Sequence, residues 1–557
     1  MSEVKGKEMK MKNHITGILA FCLVFVAGSL NAQERVYVST DKNSYLAGED
    51  VWFSVFCEDD SNERTGISRA YLEFYSAEGL TSTVKVALKE GRGSGRFRIP
   101  FSFATGNYSI VSYTAKDGGD SKGEFAGKVV TIFNTLTGER VKGGVEVVSN
   151  GEAITGNGAA SPKTTGLDVQ VGAAEDGVIP VKISNTLNDA VSLSVSVYNL
   201  DPISGMIGEN GYCTVPLKQR TGEFEKGGKR DYAGEVIRAK VLPKGGDGKG
   251  VAGEVVYMSA IGNTDDVYVA YADDNGVATF YTNNIYGSRD LVFEVGADTS
   301  RSYEVELLPV EAKHTPVAVP VLKLSEELAG VLKERGVSMQ IARRFEADTI
   351  LDLMDMRENS FVGNVTPKVY NLDEYTRFPV MEEVIREYVK DLRARKEGGR
   401  SVLKVLWDAV GQPLVLLDGV PVQDHSAVIN LDPLLVKQIV VYPRRYVLNN
   451  FTFEGVVKFV TYKGDMGGVK LPANVSVQSF EGASYPLAFL GGKVYGNGKY
   501  PNFNNTIYWN PVVTVKGGSE LDLECVLPDY KGKFKVVVEG VQGNGNGVYT
   551  TATFNVE

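Results

Sequence analysis

Two histidines, His314 and His425, are all the imidazole chemistry left once a leader-like N-terminus carrying His14 is set aside. A three-histidine zinc site needs more than this, and no His-Glu-x-x-His occurs. A serine triad would have to borrow one of the two, and no Gly-x-Ser-x-Gly elbow is present. Ser82-Thr-Val-Lys85 has the spacing by which a lysine can activate a serine. It sits inside an alternating strand pattern without supporting motifs, and chance explains it. No phosphate-cradling Gly-x-x-x-x-Gly-Lys-Ser/Thr loop is found. Asp273-Asp-Asn-Gly276 lacks the spaced ligands and closing glutamate of a calcium loop and reads as a hairpin turn. Asp418, followed by Gly419, has no histidine or second carboxylate at useful spacing, so it reads as a turn aspartate. With acid–base groups this sparse, the expectation is a non-enzyme with no catalytic residue, no metal and no cofactor.

The elements around these residues are mostly strands. The chain has 557 residues, 62 of them glycine and 27 tyrosine, which fits many short strands joined by tight turns. Alternating segments include 35–56, 70–75, 95–100, 106–113, 177–183 and 191–197. Further strands are expected at 253–258, 266–271, 277–281, 402–407, 414–417, 439–442, 456–461, 506–513, 534–540 and 551–556. Gly, Ser and Thr crowd residues 149–166, which reads as a linker. Ser325 is placed to cap a helix over 326–335, and a second helix is expected from Pro379 to about Lys390. A short helix is read at 431–437. The tyrosine-rich connector 370–379 either packs the helical segment onto its neighbours or offers a docking surface.

Net charge and the N-terminus bound the partners. A formal charge of −10 argues against nucleic acid and anionic lipid surfaces, which call for clustered Lys and Arg. Lys5, Lys7, Lys10 and Lys12 precede an apolar run, Ile18 to Val26, and Ala32 offers a cleavage point before Gln33. This is the pattern of a signal peptide, with Met1, Met9 or Met11 as the start. It implies export to the periplasm, the outer membrane or the cell surface, with no transmembrane segment in the mature chain. Three cysteines follow it, Cys57, Cys213 and Cys525. They are odd in number and far apart, so buried thiols are expected rather than a disulfide framework.

Two resemblances enter on particular residues. Tyr37, Thr40-Asp-Lys42, Tyr45, Gly48-Glu49 and Trp52-Phe53, then Gly106, Tyr108 and Tyr113-Thr114, resemble the macroglobulin-type domain of exported Bacteroidetes proteins over about residues 34–135. Tyr508-Trp-Asn-Pro511 with Gly532, Phe534, Val536, Val538, Glu539 and Gly540 resembles the closing sandwich of the same proteins. The Cys-Gly-Glu-Gln context of macroglobulin thioesters is missing. The second resemblance joins Pro413-Leu-Val-Leu-Leu-Asp-Gly-Val-Pro-Val422 to Gly455-Val-Val-Lys-Phe-Val-Thr461 and is to the plug domain of TonB-dependent outer-membrane transporters. A plugged barrel has about 22 strands of roughly 9–11 residues. Residues 466–557 fall short of that by more than twofold, so the resemblance implies a plug-like unit without its transporter barrel.

The fold expected is therefore mainly β, with tandem Ig- or macroglobulin-like sandwiches, an inserted helical segment and a small α+β plug-like domain. Its divisions are a signal peptide at 1–32 and sandwiches at 33–140, 141–225 and 226–315. A helical connector at 316–400, the plug-like domain at 401–465 and a C-terminal sandwich at 466–557 complete it. The function expected is envelope binding or scaffolding. The plug-like unit would dock an envelope protein such as an outer-membrane β-barrel through Asp418, Gly419, Tyr370, Tyr375 and Phe378. Its sheet edges are open to strand pairing. The alternatives are a macroglobulin-like protease-interacting protein without a thioester, with 149–166 as bait, or a component of a surface assembly.

Overall fold

The structure, a computed structural model, describes residues 34–59, 68–114, 125–136, 143–148, 163–207, 213–215, 234–245, 251–261, 267–282, 285–296, 298, 300–308, 319–345, 366–407, 411–448, 451–484, 503–543 and 545–557. The expected leader and most of the expected linker at 149–166 lie outside them. Among the described residues no helix is long and apolar enough to cross a membrane.

Strand periodicity places the first core. Glu34–Thr40, Asp50–Asp59 and Arg92–Arg98 form one antiparallel sheet, with Asp50–Asp59 in the middle. It faces a second sheet of Cys213–Val215, Phe125–Phe133, Gly106–Thr114, Arg69–Ser76 and Gly79–Ala87, joined by Ser44–Leu46 parallel to Phe125–Phe133. Phe53, Phe74, Leu72, Ile110 and Val130 are buried between the two layers. Strand Cys213–Val215 of this N-terminal sandwich comes from beyond the expected 33–140 stretch.

The next module is not contiguous. Val191–Asn199 lies between Thr506–Val515 and Gly532–Gln542, both antiparallel, and Gly547–Val556 closes that sheet. Facing it, Val178–Asn185 pairs with Leu167–Val171 on one side and Ser519–Val526 on the other. Leu193, Val195, Val197, Phe534, Val536 and Val538 share one core. The second and the C-terminal sandwiches of the sequence reading are thus one outer sandwich. Val191–Asn199, buried along most of its length, needs neighbours on both sides that its own segment cannot supply. Pro511, which has no N–H to donate, sits on the edge strand Thr506–Val515 at a register shift between Leu193 and Val195. At Gly540 an added Cβ would come within 2.0 Å of the Ser192 carbonyl oxygen, so the strands can approach only over a glycine.

A third sandwich is inserted into the second. Val236–Pro243, Val277–Tyr281 and Tyr303–Leu308 oppose Val267–Tyr271, Val255–Ala260, Ser288–Val295 and Val475–Glu481. The last strand, Val475–Glu481, returns from beyond residues 401–465, which the expected division at 315 had separated. At 273–276 the chain makes the expected hairpin turn, with the Asp273 carboxylate accepting from the N–H groups of Asn275 and Val277.

Within this inner sandwich sits the α+β unit. Its mixed sheet runs in the order Lys368–Asn371, Val436–Leu448, Phe451–Thr461, Leu414–Leu417, Val420–Pro421. The helices Met381–Tyr388 and Ser426–Ile429 and the hairpin Leu392–Glu397/Arg400–Val405 cover one face. The 366–400 part of the expected connector therefore belongs to this unit. The helix read at 431–437 is a single 3-10 turn, Pro433–Leu435, because Val436 already enters a strand. Val292, with Ile261 and Val475, packs into the unit's main core, and Val267 packs on the opposite face of its sheet. The helix expected at 326–335 runs instead over Leu328–Phe345. Ser325 ends a strand, Leu322–Ser325, that pairs in parallel with Val145–Val148.

Candidate functional site

The five residues named from the sequence fall on opposite sides of the α+β sheet. Asp418 and Gly419 form the turn between Leu414–Leu417 and Val420–Pro421, with φ of 46° and 85°. Two left-handed residues in succession favour Asp-Gly. The Asp418 side chain, 2% exposed, accepts from the Thr461 N–H at 2.8 Å, the Thr461 hydroxyl at 2.6 Å and the Met466 N–H at 2.8 Å. Its oxygens are committed to holding the turn against the neighbouring strand, so Asp418 does not face a partner. That edge of the sheet also packs against strand Val255–Ala260 of the inner sandwich.

Tyr370 stands on the far edge, three strand spacings away, about 14 Å. Its hydroxyl donates to the Asp391 carboxylate, whose own position is held by Lys368 at 2.6 Å. Burial, then the bond to Asp391, pushes the Tyr370 hydroxyl up to about 12. Tyr375 stacks on Tyr388 at 4.5 Å, and Phe378 meets the same ring at 5.4 Å. Tyr370, Phe378 and Tyr388 lie against the apolar core, so packing accounts for most of this aromatic run.

What faces outward at this edge escaped the sequence reading. Val369 is 46% exposed on strand Lys368–Asn371, whose outer side no strand pairs among the described residues. Leu434 is 64% exposed and Leu435 41%, on the 3-10 turn. Tyr462, half exposed, donates its N–H to the Leu435 carbonyl and its hydroxyl to Asp373. Arg377 ties the group together, donating to the Pro433 and Val436 carbonyls at 2.7 and 2.8 Å and to Asp373 at 2.6 Å. The sequence signal was the Leu-Leu pair after Pro433, which reads equally well as buried helix.

The other motif residues meet at the junction of the N-terminal and outer sandwiches. Asp41 accepts from the Tyr45 hydroxyl at 2.7 Å, the Trp52 N–H at 3.0 Å and the Thr506 hydroxyl at 2.5 Å. Burial raises its carboxyl above the ordinary value. Lys42 pairs with Glu49 at 3.1 Å, and Arg335 of helix Leu328–Phe345 reaches Glu49 and Asp201. Burial pushes the Glu49 carboxyl up, but Lys42 and Arg335 outweigh it and hold it below its usual value. Lys128 and Glu539 form a buried pair at 2.5 Å, and Ser39 donates to the same oxygen at 2.5 Å. Gly48, at φ 96°, holds the turn that delivers Glu49. These residues read as fold markers, and they make a joint.

His425 is buried, and its Nδ1 accepts the Leu403 N–H at 2.9 Å. Ser82 and Lys85 are three apart in one strand and so point to opposite faces, with Lys85 paired to Glu235 at 2.6 Å. Cys57 and Cys525 are both buried. Among the described residues no group of three or more His, Cys, Asp or Glu is placed to hold a metal ion.

The chain is thus a mostly β protein of nested sandwiches around an α+β unit. No protein-family model matches it, and no curated protein matches it. Among solved structures it is similar to E. coli alpha-2-macroglobulin in its native conformation, at 9% identity and a TM-score of 0.24, over 95% of this chain and 40% of that one. It is also similar to the Escherichia coli protein activated by porcine elastase, at 10% identity and a TM-score of 0.23, over 94% of this chain and 43% of that one. Salmonella alpha-2-macroglobulin reacted with methylamine gives 8%, 0.23, 95% and 40% for the same quantities. The chain spans well under half the length of these structures, and at such TM-scores the likeness carries no argument about activity. Of the expected bait segment, residues 149–162 lie outside the described residues.

Proposed function

We propose that this chain is a non-enzymatic binding or scaffolding protein of the cell envelope, exported by its leader to the periplasm or outer membrane. Its plug-like α+β unit is the docking module, and the occupant is a β-strand of an outer-membrane barrel protein. The observation that carries this reading is the edge strand Lys368–Asn371, which is unpaired on its outer side among the described residues and bears exposed Val369. An added strand would satisfy the spare N–H and C=O groups of such an edge. Leu434 and Tyr462 are exposed on the same unit, at the end of the sheet where Val436 pairs with Thr461. The opposite edge is already taken by the inner sandwich.

Deleting 400–465 would open the core shared with Val292, so surface substitutions make the better test. Cross-linked affinity purification from native envelope is expected to recover a barrel protein with the unaltered chain. It is expected to lose that protein with Val369→Glu/Leu434→Glu, at unchanged melting temperature. Recovery of no envelope protein, or of the same ones with both forms, would overturn the proposal.

A further inference from the structure

A cleft of about 790 Å³ opens where the N-terminal sandwich, the outer sandwich and helix Leu328–Phe345 meet. That volume suits a small-molecule or oligomeric ligand. Its floor is the joint described above, where Lys42 pairs with Glu49 and Arg335 with Glu49 and Asp201. The floor is rigid for that reason: each charge is held by a partner on another element.

The lining departs from the chain as a whole in sign. Seven lysines and arginines face five carboxylates there, in a protein of net charge −10. Arg96 and Arg98 are paired with Asp50, and burial favours the neutral form of Asp41. The charges left over are exposed: Lys531, Lys533 and Arg343, whose guanidinium lies over the Phe101 ring at 5.5 Å, against the single carboxylate of Glu334. A concave, locally positive site inside an acidic protein focuses anions.

The rest of the lining selects among anions. Half-buried Trp52 and the parallel pair Phe503 and Tyr530, 6.3 Å apart and inclined by 7°, contribute flat apolar faces. Asn199, Asn504 and Asn505 also line the cleft, the Tyr530 hydroxyl donating to the Asn504 carbonyl at 2.7 Å, and the Asn505 Oδ1 is buried without a partner. A carboxamide offers donor and acceptor side by side, which matches the paired hydroxyls of a sugar ring. Aromatic faces accept the apolar side of such a ring, as at other sites where one surface of a ligand is wet and the other is not.

We infer that this cleft binds an acidic saccharide of the uronic-acid class, with the rings against Trp52 and Tyr530, the hydroxyls on the asparagines, and the carboxylates on Lys531 and Lys533. The site is separate from the docking edge of the α+β unit and stands or falls without it.

Titration calorimetry of the full chain with tetragalacturonate tests it. The expected result is one saturable site per chain, with affinity falling as salt is raised. Methyl esterification of the ligand, or the double variant Lys531→Glu/Lys533→Glu, should each weaken binding about tenfold, as two exposed charge contacts would. Both lysines are exposed, and an unchanged melting temperature confirms the variant's fold. Three results would overturn the inference: no saturable binding, equal affinity for the ester or by the variant, or tetraglutamate bound as tightly as the saccharide.

Discussion

Two joints in this molecule are built on opposite principles. The N-terminal and outer sandwiches meet through buried polar groups: Lys128 with Glu539, Ser194 with Ser39, Thr506 with Asp41, and the Ser54 hydroxyl on the Pro511 carbonyl at 2.5 Å. The inner sandwich and the α+β unit meet through a shared apolar core, with Val292 on one side and Val267 on the other. An apolar joint tolerates sliding and repacking of similar volume. A polar joint does not, because each displaced donor or acceptor is left without a partner in a dry place. The cleft lies at the polar joint, where groups must hold their positions.

The largest expected effect comes from breaking the polar joint. Lys128→Met leaves the Glu539 carboxylate buried with half its support, which should cost about 3–5 kcal/mol in urea denaturation. Lys128→Met/Glu539→Leu should recover most of that, since a well-packed apolar pair can replace a buried ion pair. If the single variant loses under about 1 kcal/mol, the joint is wetter than its geometry indicates and the contrast fails.

A misfit beside the apolar joint is Glu294, two residues from Val292 on the same strand and paired with Tyr257 and Val475 within the inner sandwich. Burial raises its carboxyl from 4.5 to about 7. The folded state therefore holds this proton more tightly than the unfolded state. Its contribution is fully present below pH 4.5 and is lost as pH rises through 7. Glu294→Gln should stabilise the protein by up to about 3 kcal/mol at pH 8 and leave it unchanged at pH 4. Melting curves at the two values decide it, and equal shifts at both would remove the misfit.

His425 works in the other direction. Burial lowers it from 6.5 to about 4, so the stability it supports is present above pH 6.5 and is lost as pH falls toward 4. His425→Ala should cost about 1–3 kcal/mol at pH 7 by orphaning the Leu403 N–H, and should flatten the acid limb of the stability curve. The smallest effect is on labelling. Cys57 and Cys525 lie in the cores of the two sandwiches flanking the polar joint, and burial pushes the Cys525 thiol up to about 12. Iodoacetamide should leave Cys525 unmodified until denaturant is added, as a thiol without thiolate character in a closed core reacts slowly. Early modification of Cys525 would show that its sandwich opens locally.

Much of the local structure was legible from residue patterns. The alternation of Val191 to Val197 and the Asp-Asn-Gly turn at 273–276 each found their element. The motif from Thr40 to Trp52 marked the first sandwich. Pairing was not legible, because alternating strands of Val, Ser and Thr carry no label that names a distant partner. Modules were therefore drawn as contiguous stretches, and the outer sandwich was split in two. The same limit applied to the site. Asp418 looked available because a turn aspartate is usually exposed, whereas Thr461 and Met466 enclose it from a later part of the chain. The exposure of Leu434 was not legible, because nothing local says which end of the unit is left open.

Nesting also fixes an order of events. Val191–Asn199 finds its flanking strands only after the roughly 300 residues up to Thr506 have been made, which takes about 15–60 s at ordinary synthesis rates. Until then its apolar face has no cover and its edges have no ladder. Contacts so distant along the chain close slowly. The inner units can finish folding first and bring the two halves of the outer sheet together, so the innermost module acts as the clasp that completes the outermost one.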